Sequence, residues 1–117
     1  MLIASDLIRG HTDAIILAHL VEHDSYGYEI NKNIAKHSQG RFELKEATLY
    51  TAFKRLEDGG SITSYWGNEQ TGARRKYYSI TPIGREAYVQ MQKEWQHTKE
   101  IIDQLLYMGG KEACMKN

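Results

Sequence analysis

Residues 46–80 read EATLYTAFKRLEDGGSITSYWGNEQTGARRKYYSI, and the fold is decided here. Leu49, Ala52, Phe53 and Leu56 recur at the spacing that places them on one face of a helix. That helix is expected to start near Glu46 and to stop at Gly59-Gly60, because glycine tolerates the left-handed conformation that follows a helix end. Its opposite face carries Ala47, Thr48, Thr51, Lys54 and Arg55, with Tyr50 at the edge. These are small, hydroxyl and basic groups of the kind that enter a major groove. Ile62 to Trp66 and Arg75 to Ile80 are rich in β-branched and aromatic residues and are separated by a stretch containing Gly67 and Gly72, which predicts a hairpin. Near its tip stand Arg74, Arg75 and Lys76, three contiguous cations able to reach phosphates or a groove. The tip exceeds a tight turn and is expected to be a flexible wing whose basic flank becomes ordered on a nucleic acid.

Charge singles out the same stretch. The chain has 15 basic and 15 acidic residues, yet residues 41–85 hold eight Lys or Arg against five Asp or Glu, a net +3. Residues 1–40 carry −2 and residues 86–117 carry −1. Attraction for a polyanion must therefore be local. Lys45 adds to it, standing where a capping Asn, Asp or Ser is expected and opposing the helix dipole; a phosphate at that end would favour both. Lys45 is accordingly read as a phosphate contact.

Upstream, Arg9 to about His23 is expected to form a first helix, with Asp13 in its opening turn and Ala14, Leu17, Leu20 and Val21 at core spacing. Ile16 lies off that stripe, which implies a helix with more than one neighbour. Ser25 is expected to cap a second helix from about Tyr26 to His37, built on Tyr26, Ile30 and Ile34. Gly40 breaks the chain, and Phe42 and Leu44 alternate with charged residues as a very short strand or an extended link.

Downstream, Thr81 as cap and Pro82 at the first helical position open a last helix that should run to about Tyr107, before Gly109-Gly110. Tyr88, Met91, Trp95, Thr98, Ile102 and Leu105 lie three or four residues apart along it, a coiled-coil seam. The seam is longer than a small domain needs for its own core. These six residues are therefore expected to pair with the same helix, the first helix, or both, in a second copy of the chain. The simpler alternative is an amphipathic helix folded back on its own domain.

With 117 residues, 41% of them hydrophobic, the chain suits one small domain with an appended element. The expected division is a DNA-binding unit over 1–80, a dimerisation helix over 81–108 and a disordered polar tail over 109–117. A single cysteine, Cys114, excludes an internal disulfide and fits a reducing compartment. Residues 1–10 include Asp6 and no sustained apolar run, so no signal peptide is expected, and no stretch approaches membrane-spanning length. The expected location is the cytoplasm, with no membrane partner.

Enzymatic chemistry has one foothold. His19-Leu20-Val21-Glu22-His23 matches the H-x-x-E-H pattern of inverted zinc proteases, in which two histidines one turn apart bind metal beside a glutamate base. The pattern is short, lacks a downstream carboxylate context and sits on a chain too small for a peptide cleft. His11, His37 and His97 are scattered, as surface groups are. No phosphate-binding glycine loop, cysteine-histidine nucleophile pair or spaced cysteine ligands occur. The expectation is no enzyme, no cofactor and no metal.

The expected fold is mostly α with a small β-hairpin: a winged helix-turn-helix followed by a long C-terminal dimerisation helix. A winged-helix module that binds protein is the alternative, and it would have no use for the clustered basic wing. Tyr26-Gly27-Tyr28-Glu29-Ile30, Glu46-Ala47-Thr48-Leu49-Tyr50, Arg55-Leu56-Glu57 with Gly59-Gly60, and the run from Gly72 to Thr81 with Gly84 following, resemble the PadR family of bacterial transcriptional regulators. The resemblance spans roughly residues 9–106 and is most specific from the wing into the last helix. Chain length and the surroundings of Trp95 look closest to the short subgroup with a single C-terminal helix, which includes a multidrug-binding repressor.

The resemblance implies a homodimer joined through the last helix, repression by operator binding and, in some members, release by small molecules. In such a dimer two recognition helices would enter successive major grooves of a rough palindrome in double-stranded DNA. Thr48, Tyr50, Thr51, Lys54 and Arg55 would contact bases and nearby backbone, and Arg74, Arg75 and Lys76 phosphates or the minor groove. Two Trp95 indoles facing each other across the axis would accept a flat aromatic inducer, with Tyr88, Met91, Gln92 and Lys99 on adjoining turns. Asp13 and Ala14 are neighbours of that site by family likeness only. Trp95 as plain interface packing is the alternative. Lys99 stands where the subgroup has an acid, which speaks against a preference for cationic compounds.

Overall fold

The computed structural model describes residues 8–69 and 72–109. Ile8 and Arg9 are helical, and α1 then spans Thr12–Glu22. It is followed by β1 (Ser25–Tyr26), α2 (Gly27–His37), α3 (Glu46–Asp58), β2 (Ile62–Trp66), β3 (Lys76–Ile80) and α4 (Pro82–Leu106). The polar tail, Cys114 and Gly110 lie outside the described residues, as does the start of the 1–80 unit.

The hairpin is part of a larger sheet. β3 pairs antiparallel with β2 from Ile62 opposite Ile80 to Trp66 opposite Lys76, and on its other edge with β1, Ser25 opposite Tyr78 and Tyr26 opposite Tyr77. The two-stranded expectation is thus corrected to three strands. Ser25 belongs to this added strand and does not cap α2; its hydroxyl bonds the Glu29 carboxylate, and Tyr26 stands at the helix N-cap without a side-chain cap bond.

α3 matches its expected bounds, with Leu49, Ala52, Phe53 and Leu56 buried and Gly59 at its C-cap. The core joins that face to Ile30 and Ile34 of α2, Ile62 and Tyr78 of the sheet, and Ile16, Leu17 and Leu20 of α1. Ile16, placed off the stripe by spacing, has no exposed surface. Ala14 and Val21, read as core, are only half-buried. The reason is that α1 lies among α3, α4 and β3, so its buried arc is wider than a single stripe. Phe42 and Leu44 lie in an extended link rather than a strand, yet both are buried. Asn31 fixes the link as a strand partner would: its amide donates to the Leu44 carbonyl at 2.7 Å and its oxygen accepts from the Leu44 amide at 2.9 Å.

Thr81 joins α4 to the turn after α3. Its hydroxyl accepts from the Gly84 amide at 3.0 Å and donates to the Gly60 carbonyl at 2.6 Å. Gly84 is needed there because a Cβ would come within 2.1 Å of the Ser61 carbonyl oxygen. From this junction α4 crosses α1 and then leaves the domain. The radius of gyration is 17.3 Å, against roughly 13 Å for a compact chain of this size. The seam divides accordingly: Tyr88 and Met91 pack on their own core, whereas Trp95, Thr98, Ile102 and Leu105 are exposed. Among the described residues no helix is long and apolar enough to cross a membrane.

Candidate nucleic-acid interface

The outer face of α3 is exposed from end to end. Lys45, Thr48, Tyr50, Thr51, Lys54 and Arg55 all present surface, and they line neighbouring depressions. Tyr50, Thr51, Lys54 and Arg55 edge one of about 570 Å³, and Lys45 and Thr48 another of about 260 Å³. Lys45 occupies the N-cap with extended backbone and no side-chain cap bond, as the sequence implied. Two of these cations already have partners. Lys54 pairs with Asp58 one turn on at 3.3 Å. Arg55 is held by both oxygens of Asp13, at 2.5 and 3.1 Å, a forked geometry that raises the guanidinium pKa through the hydrogen bond. Arg55 must share or surrender Asp13 before it meets a phosphate.

Each of the three wing cations meets an aromatic ring. Arg74 donates from Nε to the Gly67 carbonyl at 3.1 Å and lies over the Trp66 ring, 5.9 Å from its centroid. Arg75 covers Tyr26 at 4.8 Å and reaches Glu69 at 3.6 Å. Lys76, the first residue of β3, lies over Tyr78 at 5.8 Å. Such cation and ring contacts contribute roughly 0.5–1 kcal/mol each at exposed sites, enough to bias a side chain without fixing it. The cations are therefore aimed in advance by the aromatic residues around them. Lys45, Arg74 and Lys76 have no carboxylate within ion-pair reach among the described residues.

A third depression, of about 480 Å³, connects the wing to α3, with Tyr50 forming part of its wall along with Tyr26, Tyr28 and Trp66. Gly27 leaves room for this packing, since a Cβ there would lie 2.8 Å from the Tyr50 hydroxyl. Tyr28 and Trp66 were not among the site residues expected from sequence. Their exposure, 71% and 56%, is the signal that matters, and it becomes visible only once the fold brings residue 28 beside residue 66.

The residues expected around a ligand are only partly brought together. Trp95 is half-exposed and meets the edge of His11, ring centroids 4.8 Å apart. Tyr88 accepts a hydrogen bond from Gln92 at 2.9 Å, and Met91 packs on the core nearby. Lys99 is exposed one turn beyond, Ala14 is half-buried, and Asp13 is committed to Arg55. Both histidines of the H-x-x-E-H stretch are engaged by backbone carbonyls. His19 donates from Nδ1 to the Ile15 carbonyl and His23 to the Asp24 carbonyl, and the described residues contain no group of three His, Cys, Asp or Glu able to hold a metal.

A three-stranded sheet, an exposed helix face and a basic wing on one side define a winged-helix DNA-binding protein. Residues 16–90 match the Transcriptional regulator PadR-like family. Among solved structures, a transcriptional regulator from Clostridium thermocellum is 51% identical with a TM-score of 0.81, covering 88% of this chain and 97% of that one. A PadR family transcription regulator from Clostridium difficile is 40% identical with a TM-score of 0.71, covering 82% and 98%. An uncharacterised protein of Lysinibacillus sphaericus is 47% identical over 95% of this chain and all of its own length. The chain belongs to the PadR-like family of transcriptional regulators. It is thus a DNA-binding regulator of transcription, in a family of regulators rather than enzymes.

Proposed function

We propose that the chain acts as a homodimeric repressor, reading a palindromic operator through α3 and holding its flanks with the wing. The observation that carries this reading is the half of α4 that has left its own domain. There Trp95, Ile102 and Leu105 are 48%, 47% and 60% exposed, an apolar surface that a second copy would cover. Thr48, Tyr50, Thr51, Lys54 and Arg55 are the proposed contacts in the major groove, Lys45 a phosphate contact at the start of α3, and Arg74, Arg75 and Lys76 contacts to phosphates or the minor groove.

Titrating a labelled duplex of the upstream region against salt tests both parts. Lys45, Arg74 and Lys76, which meet no carboxylate among the described residues, set a logarithmic salt slope of roughly −5 when counted in two copies. The complex should contain twice the 13.5 kDa chain mass. Absence of duplex binding at low salt would favour the protein-interaction alternative, and a monomer on DNA would remove the dimer.

Release by a planar aromatic compound is the finer part of the proposal, supported by the exposed Trp95 ring and its edge contact with His11. In a Trp66→Phe background, flat dyes should quench the remaining tryptophan and weaken duplex binding in parallel. Unchanged emission together with unchanged DNA affinity would leave Trp95 as interface packing alone.

A further inference from the structure

The groove between the start of α2 and the wing combines two chemistries that the recognition helix does not need together. Its walls include Tyr28, Tyr50 and Trp66, all with rings substantially exposed to solvent. Its floor and rim carry Arg74, Arg75 and Lys76. Exposed large aromatics are costly on a surface unless something covers them, and here three converge on one depression of about 480 Å³. The cations already hold one anion: the Glu69 carboxylate lies 3.6 Å from Arg75 and accepts from the Tyr77 hydroxyl at 3.3 Å. Flat rings beside ordered cations are the pattern by which proteins hold unpaired nucleotides, bases stacking on the rings and phosphates meeting the positive groups.

We propose that this groove is a binding site for a single nucleobase and its phosphate, separate from duplex reading by α3. The base stacks against Trp66 and Tyr28, and the phosphate lies at Arg75 and Lys76 in place of the Glu69 carboxylate. Two sources offer this chemistry, a free nucleotide and an unpaired stretch of strand. The groove edges the duplex-reading face through Tyr50, so occupancy by either would be sensed beside the operator.

The test uses the full chain with Trp95→Phe, which leaves Trp66 as the sole tryptophan, since the sequence contains two. Adenosine monophosphate, a six-nucleotide thymidine strand and inorganic phosphate are titrated separately at low salt. Saturable quenching by both nucleotides supports a site open to free nucleotide; quenching by the strand alone supports one that needs neighbouring phosphates. Tyr28→Ala should weaken whichever binding occurs by roughly fivefold or more, the loss of one stacked base. Arg75→Ala should weaken it as well. Tyr28 is 71% exposed, so the fold should survive its loss, as circular dichroism would verify. Silence with both nucleotides, quenching reproduced by phosphate alone, or affinity indifferent to Tyr28 and Arg75 would each overturn the site. Duplex binding measured on the Trp95→Phe chain with and without Tyr28→Ala separates this failure from a failure of DNA reading, because Tyr28 is not a proposed duplex contact, whereas Arg75→Ala is expected to weaken duplex binding as well.

Discussion

Phe53→Ala should cost about 3–5 kcal/mol of folding stability, among the larger losses a single truncation gives. Phe53 is 1% exposed and lies flat on Tyr78, ring centroids 3.9 Å apart and planes 16° apart, with Tyr50 meeting it edge-on at 5.6 Å. It bolts the recognition helix to the central strand. Burial also pushes the Tyr78 hydroxyl above its ordinary pKa, as expected of a ring enclosed by this stack. Small domains hold only about 5–15 kcal/mol in total, so the midpoint should fall by more than roughly 12 °C. Thermal unfolding followed by circular dichroism, at one fixed protein concentration because subunit pairing contributes by mass action, measures it. Phe53→Leu should recover much of the loss, keeping volume while losing the stack. A drop of only a few degrees for Phe53→Ala would mean that the helix is secured elsewhere.

Replacing Arg74 and Arg75 together by alanine should weaken duplex binding on the order of 10–100-fold at moderate salt, and by similar factors for operator and unrelated sequence. Uniform weakening is the signature of backbone positioning. The salt slope should become shallower by about two to four units for a dimer, with Arg75 contributing less if Glu69 stays on it. Arg74 lies over the exposed Trp66 ring and Arg75 over the half-buried Tyr26 ring, and both arginines are themselves exposed, so stability should change little. A loss confined to one sequence would assign these arginines to base reading, and unchanged affinity would remove the wing from the interface.

What could be read from sequence depended on range. α3 and the start of α4 were legible because their signals are local: Leu49, Ala52, Phe53 and Leu56 repeat within one helix, and Thr81 caps three residues from Gly84. β1 was not legible, since two residues carry no periodicity and are a strand only because Tyr77 and Tyr78 lie beside them. The same holds for Asp13 and Arg55, forty-two positions apart, which were assigned to a ligand site and to a DNA face before the fold joined them. For the α4 seam, spacing alone did not separate Tyr88 and Met91, which pack on the domain's own core, from Trp95, Thr98, Ile102 and Leu105, which are exposed. Tyr28 and Trp66 were visible only as a motif residue and a strand residue, because nothing local in sequence places them in one depression.

The anchoring of α4 has a mechanical consequence. Thr81 and Gly84 clamp its first turn to the Gly60-Ser61 backbone, leaving little play at that end. Beyond Met91, which still packs on the core, α4 continues for fifteen residues or about 22 Å, so a tilt of roughly 5° there sweeps its far end through an arc of about 2 Å. The domain would in effect be geared: slight tilting of the core-packed half of α4 would become larger displacement where two copies would meet. Run in reverse, such gearing would bring a coarse movement among the distal side chains to α3 as a small angular trim, graded by leverage rather than by contact.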